Sequence, residues 1–325
     1  MESYSALVPI KNGINYLPRF KSYFEAIPEN FEIVVIDDDS SDGTSSFLNH
    51  WRKSDDRISI IKGPGQGIVQ ALNLGLRAIN SDWIFRFDVD DTYRIERIAT
   101  QLSMVNKSNM AACFSDYEIC SELDDYLGYM PSAIIPSATY LSLISSNRTA
   151  HPSVMLRREA LIAAGGYIED DFPCEDLGLW LRLKKVGDLY SIPTPLLKWR
   201  LSSSSLTSLN RSSMQSKKYQ LINDLFDFEK ARREFFSDSE NVLLHYKDVS
   251  YRSERKLLYI YDFVKTNRMR DKGEFRDYSS ILKYLGDFGN FGALTHLSYY
   301  QLKRKFYRKS QSRPRHFQVE SNLEG

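Results

Sequence analysis

The 325-residue sequence predicts an α/β fold, a mostly parallel sheet covered by helices. Short β-branched or aromatic runs alternate with helical periodicities from residue 6 to about residue 88, the pattern of successive strand–helix–strand units. Two of the runs end in clusters of aspartate, at the strand ends where open α/β sheets bind their ligands. The length corresponds to about two domains, enough to bury a core without disulfides or metals.

Strands are expected at 6–10, 32–37, 58–62 and 83–88. Leu17, Phe20, Phe24 and Ile27 recur at helical spacing, as do Ile68, Leu72, Leu76 and Ile79, so each set reads as a crossover helix. Ile95, Ile98, Leu102 and Val105 predict another helix, followed by a strand near 112–117. Pro131, Pro136 and Pro152 then break the alternation. Beyond them a strand is expected at 154–156, a helix from Arg158 to the Gly165-Gly166 pair, and a helix over 175–185. Four serines at 202–205 read as a loop, and a domain boundary is expected after residue 209. Residues 210–309 read as a helical region and 310–325 as a disordered tail.

Composition excludes several classes. Hydrophobic residues make up 42% and charged residues 26%, with 16 Gly and 11 Pro, which rules out a disordered or collagen-like chain. The net charge of +1 hides an asymmetry: residues 1–208 carry 20 basic and 27 acidic side chains, residues 209–325 carry 23 and 15. Cys113, Cys120 and Cys174 form neither a C-x-x-C pair nor an even set, so they read as buried thiols of a reducing, cytoplasmic compartment. The N-terminus lacks a signal-peptide pattern, and no stretch approaches the roughly 18 apolar residues of a membrane span. Any membrane contact is expected to be peripheral.

Three constellations carry chemistry. Asp37-Asp38-Asp39-Ser40 with Asp42 ends the second strand. Asp39, Ser40 or Asp42 could simply cap the next helix, or one Asp could accept a hydrogen bond from a nucleotide's base or sugar. Asp88-Val89-Asp90-Asp91 ends the fourth strand. It is either a solvated acidic turn or a set of oxygen ligands for Mg²⁺ or Mn²⁺, with substrate phosphates completing the shell. Glu175-Asp176 opens a helix, where carboxylates either meet the macrodipole or serve as a general base. Gly63-Pro64-Gly65-Gln66-Gly67 departs from the dinucleotide fingerprint, with Ile68 in place of its third Gly and a position after the third strand. His151 stands isolated beside Pro152.

Taken together and in order, these elements resemble the family 2 glycosyltransferases, inverting enzymes of the GT-A fold that use nucleotide-diphosphate sugars. The resemblance runs from Val8-Pro9 to about Ser208. It rests on Asp37-Asp38, Gly67 with Asn73, Arg86 through Asp91 with Arg97 and Gln101, His151-Pro152, Gly165-Gly166-Tyr167, Glu175-Asp176 with Trp180 and Arg182, and Trp199-Arg200. It implies that Pro9, Asp37 and Asp38 hold the base, most often uracil, and that Gly67, Asn73 and Asp88 belong to the same nucleotide site. It implies Mn²⁺ or Mg²⁺ on Asp90 and Asp91, and Asp176 as catalytic base with Glu175 beside it. His151, Trp180, Arg200 and Ser202 are expected near the acceptor or its loop. Two positions depart from the pattern: Asp39 where the family commonly has Gly, and Ser202 where it has His.

The expected partners are a nucleotide-diphosphate sugar, most often a UDP-sugar, and a saccharide or lipid-linked saccharide acceptor of cell-surface polysaccharide synthesis. Residues 300–325 hold seven basic and two acidic residues interleaved with aromatics. They read either as a solvated basic helix or as a segment resting on an anionic membrane at the inner face. No nucleic-acid reader motif accompanies them, so no nucleic acid is expected. A non-catalytic nucleotide-sugar-binding module and a sugar nucleotidyltransferase are the competing readings.

Overall fold

Leu7, Val34, Val35 and Ile36 are 0–1% exposed, and strands so apolar on both faces need helices on both. The computed structural model describes residues 2–27, 31–132, 136–145, 148–203, 205–227, 230–231 and 233–234. The remainder of the expected helical region, the tail at 310–325 and the basic segment at 300–325 lie outside the described residues.

In chain order, β1 (Tyr4–Ile10), α1 (Leu17–Glu25), β2 (Glu32–Asp37), α2 (Thr44–Ser54), β3 (Ile58–Lys62), α3 (Ile68–Ala78) and β4 (Trp83–Arg86) form the regular first half. Then come β5 (Thr92–Tyr93), α4 (Arg97–Leu102), β6 (Met110–Cys120), β7 (Tyr126–Met130), α5 (Pro136–Ser145), β8 (Met155–Arg157) and α6 (Arg158–Ala163). The series ends with α7 (Glu175–Val186), β9 (Asp188–Arg200), α8 (Leu206–Leu209) and α9 (Arg211–Leu225). The strands described form one sheet in the order β3-β2-β1-β4-β8-β6-β9-β5, with β7 paired to β6. β3, β2, β1 and β4 are mutually parallel, β8 is antiparallel to both β4 and β6, and β9 is parallel to β6.

Alternation along the strands divides the core. Leu7, Val34, Ile36 and Ile84 face α3, α6, α7 and α9, while Ala6, Val8, Ile33, Val35 and Phe85 face α1, α2 and α4. Gly75 lets α3 settle onto the sheet, since a Cβ there would overlap the Cδ1 atoms of Leu7 and Ile36. Pro9 sits in a central strand without a missing bond. The Leu7 carbonyl accepts from Phe87 N at 3.0 Å, so the backbone of Pro9 points to the same side, past the last paired residue of β4.

Several elements differ from the sequence reading. The fourth strand stops at Arg86 rather than residue 88, because Tyr93 Oη accepts from Asp88 N (2.7 Å) and donates to Asp88 O (3.0 Å), closing a turn. β9 is 13 residues long, yet Pro193 and Pro195 hide it from a period-two search. It tolerates them by a bulge: Ser115 pairs with Ile192 and the next residue, Asp116, with Pro195. The expected boundary after residue 209 is not a break in the core. Leu221, Ile222 and Phe226 are buried in the same cluster as Leu177 and Trp180, and Phe226 stacks on Tyr140 at 4.4 Å. No helix among the described residues is long and apolar enough to cross a membrane.

Gly75→Ala should lower stability by about 1–3 kcal/mol, the usual range for overpacking. Urea unfolding checks this, and an unchanged midpoint would show that the sheet yields to the added methyl.

Candidate active site

The carboxyl ends of the parallel strands form a rim, and the first acidic cluster is woven into it. The two oxygens of Asp38 accept from Gly65 N (2.8 Å) and Gly67 N (2.9 Å). The Gly-rich segment is therefore a loop wrapped onto a carboxylate. Gly67 has φ 100° and ψ 178°, and Gly65 φ 71°, conformations open to glycine. Asp37 accepts from Ser40 N at 3.1 Å and from Ser45 Oγ, and Asp42 accepts from Thr44 N (3.0 Å) and Ile14 N (3.1 Å). Asp39 is left-handed at φ 63°, the region that glycine enters most freely. The helix-capping reading thus falls to Asp42, which takes the first amide of α2, leaving Asp38, 4% exposed beside Pro9's strand, as the floor of the rim.

The second cluster follows β4. Asp88, Asp90 and Asp91 can each turn one oxygen to a common point, those atoms lying within 4.8 Å of one another. Asp91 is 3% exposed; its Oδ1 accepts from Arg200 N at 2.8 Å, while its Oδ2 is buried with no hydrogen-bond partner. Burial and the charge of Asp88 push the Asp90 carboxyl up to about 6. Burial, Asp90 and Asp88 hold Asp91 well above the usual range. An oxygen-only donor set with an orphaned buried oxygen fits a divalent cation of the Mg²⁺ or Mn²⁺ type.

Arg86 is the cation on which both acidic groups converge. It is 4% exposed on β4 and ion-paired to Asp88, and its charge acts on Asp90, Asp91, Glu175 and Asp176. Glu175 and Asp176 start α7, where Asp176 Oδ1 accepts from Leu177 N at 2.6 Å. Burial and the neighbouring Asp176 push Glu175 up to about 7, and its Oε2 is buried without a partner. Burial also raises Asp176, opposed by the Leu177 amide and Arg86. Arg86 was given no role by sequence reasoning. Its signal was a lone cation in the otherwise apolar strand Trp-Ile-Phe-Arg.

Other expected site residues are placed differently. Asn73 is a backbone clamp: its Nδ2 donates to Tyr167 O (2.7 Å) and its Oδ1 accepts from Tyr167 N (3.1 Å). Trp180 has no exposed surface and packs edge-on against Phe114 and His151, so it offers nothing to an acceptor. His151 is buried against Tyr167 Oη at 2.7 Å, and burial with nearby Arg86 holds it well below its ordinary value. Arg200 is a tie: Nε donates to Asp90 O (2.8 Å), Nη1 to Glu122 O (2.7 Å) and Nη2 to Asp124 Oδ1 (2.5 Å). Ser202 is 7% exposed, and its carbonyl accepts from Ser208 Oγ at 2.8 Å.

A carboxyl whose folded-state value is raised binds its proton more tightly in the native state, so stability falls as pH climbs through the window. That window runs from 4.5 to about 7 for Glu175 and from 3.8 to about 6 for Asp90. In chelator, the urea midpoint should therefore rise from pH 7.5 to pH 5.5. Arg86→Leu should be destabilised by about 3 kcal/mol at pH 7.5, where it leaves carboxylates unpaired, and by less at pH 5.5. A flat profile for both proteins would refute this electrostatic picture.

Residues 5–163, β1 through α6, match the family model for glycosyl transferase family 2. An uncharacterized glycosyltransferase of Rickettsia bellii is 27% identical over 207 residues, covering 63% of this chain and 30% of that protein. The chain thus spans less than a third of the length of that relative. UDP-Glc:alpha-D-GlcNAc-diphosphoundecaprenol beta-1,3-glucosyltransferase WfgD of Escherichia coli is 27% identical over 238 residues, covering 71% of this chain and 87% of WfgD. The solved structure of the mannosyltransferase PcManGT from Pyrobaculum calidifontis in complex with GDP-Man and Mn²⁺ has a TM-score of 0.53 at 13% identity. That likeness covers 95% of this chain and 86% of PcManGT, and it bears on the fold. Residues 5–163 are thus a glycosyl transferase family 2 segment, and the sheet that it builds has the GT-A fold.

Proposed function

We propose that the chain transfers a sugar from a nucleotide-diphosphate donor to a hydroxyl of a saccharide or lipid-linked saccharide, inverting the anomeric centre in a single displacement. The observation that carries this reading is the pair of acidic groups facing one buried arginine: Asp88, Asp90 and Asp91 on the rim, Glu175 and Asp176 on α7. A hydrolase with paired carboxylates would have no need of the first group, and a sugar nucleotidyltransferase would have no need of the second.

Asp90 and Asp91 would hold Mn²⁺ or Mg²⁺, with Asp88 beside them. The ion supplies charge stabilisation to the departing diphosphate. The chain's own residues do the rest. Asp38 braces the Gly65–Gly67 loop at 2.8 and 2.9 Å, so the nucleotide base meets a pre-formed edge beside Pro9 and Asp37. Arg200 holds Asp91 and the Asp90 carbonyl in place. Asp176, anchored through Oδ1, presents its second oxygen to take the acceptor's proton as that hydroxyl attacks the anomeric carbon. Glu175, half-buried and raised to about 7, puts less negative charge beside Asp176 near neutrality than an ordinary glutamate would.

WfgD acts on UDP-Glc and a diphosphoundecaprenol-linked sugar, and PcManGT was solved with GDP-Man and Mn²⁺. These relatives support a nucleotide-sugar donor and favour an acceptor of cell-surface polysaccharide synthesis. We take UDP as the donor nucleotide, with GDP as the competitor, and a cytoplasmic, membrane-peripheral location as the setting.

Thermal stability in UDP, GDP, dTDP and CMP, with and without Mn²⁺, tests the donor. One diphosphate should raise the melting temperature in a metal-dependent way, since a ligand specific for the native state stabilises it by mass action. Asp91→Asn should erase the metal dependence. No shift with any nucleotide would overturn the assignment of the rim. Asp176→Asn should keep the nucleotide shift and lose about 10²–10⁴-fold in transfer, the usual worth of a general base. Wild-type turnover in that variant would remove Asp176 from the mechanism.

A further inference from the structure

Tyr167 lies where four elements meet. Gly165 (φ 83°) and Gly166 (φ 66°) turn the chain sharply after α6 and deliver Tyr167 to the interior, 3% exposed. Its backbone is gripped from two sides. Asn73 of α3 bonds both its amide and its carbonyl, at 3.1 and 2.7 Å, while Arg182 of α7 donates to the preceding carbonyl, Gly166 O, at 3.0 Å. The phenol oxygen reaches His151 Nε2 at 2.7 Å, and the His151 ring stands edge-on to Trp180 at 5.6 Å.

Trp180 lies one turn below Asp176 on the same face of α7, the i and i+4 relation. A second support lies on the flank of α7. Asp171 pairs with Arg182 and fills a notch at Gly178, where any Cβ would overlap the Asp171 carboxylate. The stretch of α7 just beyond Asp176 is thus seated by His151 at Trp180 and by Asp171 at Gly178. The charges of Arg86, Glu175, Asp176 and Asp88 all act on the Tyr167 hydroxyl, which burial keeps protonated.

We infer that Tyr167, gripped by Asn73 and bonded to His151, is a positioning residue that fixes the α7 turn from which Asp176 meets the acceptor hydroxyl. The inference rests on the reading of Asp176 as base. It also gives a purpose to residues that a sequence reading places at the nucleotide or acceptor: Asn73, His151 and Trp180 act on the reaction through Tyr167 and α7, without touching either substrate.

The test uses the full chain and the isosteric variant Tyr167→Phe, which removes only the hydroxyl. Hydrogen exchange at residues 177–180 should accelerate about tenfold, with the melting temperature within about 2 °C of wild type. With UDP- or GDP-hexoses and Mn²⁺, kcat for nucleotide release should fall about tenfold and KM for the donor should stay within about twofold, as expected when alignment rather than binding is lost. Asn73→Ala should show the same signature. His151→Gln, which can still bond the phenol, should retain more kcat than His151→Ala. These variants decide the question if Tyr167→Phe does not fold. Unchanged exchange overturns the inference, and so does faster exchange with wild-type kcat. If the wild-type protein releases nucleotide from no donor, the transferase reading falls, while the exchange measurement still decides whether Tyr167 seats the turn.

Discussion

A buried guanidinium among five carboxylates is the constraint around which the rest of the molecule is arranged. Arg86 sits at the end of the central strand β4, out of water, where its charge would be costly without partners. Asp88, Asp90 and Asp91 on one side and Glu175 and Asp176 on the other would repel one another without a cation between them. Each side makes the other tenable. The charge of Arg86 thus couples the turn after β4 to the first turn of α7, although they are more than eighty residues apart in sequence.

The scaffold behind Arg86 keeps that meeting exact in register. Arg97, 0% exposed, donates to the Arg86 carbonyl at 2.9 Å and lies 4.2 Å from the Phe87 ring. Gln101 reaches the carbonyls of Cys113 and Ser153 at 2.8 and 2.9 Å. Together they tie β4, β6 and the segment before β8 into one sheet across the change from parallel to antiparallel pairing. Side-chain donors supply the hydrogen bonds that the interrupted ladder leaves out. From beside the edge strand β5, β9 carries Arg200 back to Asp91 and Asp90, so the rim turn is held from both directions.

Much of the candidate site was legible one strand end at a time. Asp38, Asp90, Asp91 and Asp176 stand at strand ends and a helix start that periodicity alone locates, and the order of these elements carried the family resemblance. Arg86 and Tyr167 were not legible in that way, because a single cation in an apolar strand and a tyrosine after two glycines have no spacing to betray them. The partners of Asn73 and Trp180 were hidden for the same reason. Their residue types suit a ligand as well as a neighbour, and only their partners, Tyr167 and Phe114, distinguish the two roles.

Alternation of apolar runs and helical periods determined the layered α/β architecture by itself, since strands buried on both faces can be satisfied only by helices on both sides. Strand ends likewise determined where carboxylates would gather. Tertiary structure decided the rest. The course of β9 through two prolines depended on a bulge against β6, and the place of α9 depended on burying Leu221 and Ile222 beside α7. Which carboxylate binds a loop, which is raised above its ordinary range and which lacks a partner depended on burial and on charges distant in sequence, quantities that exist only once the chain has folded.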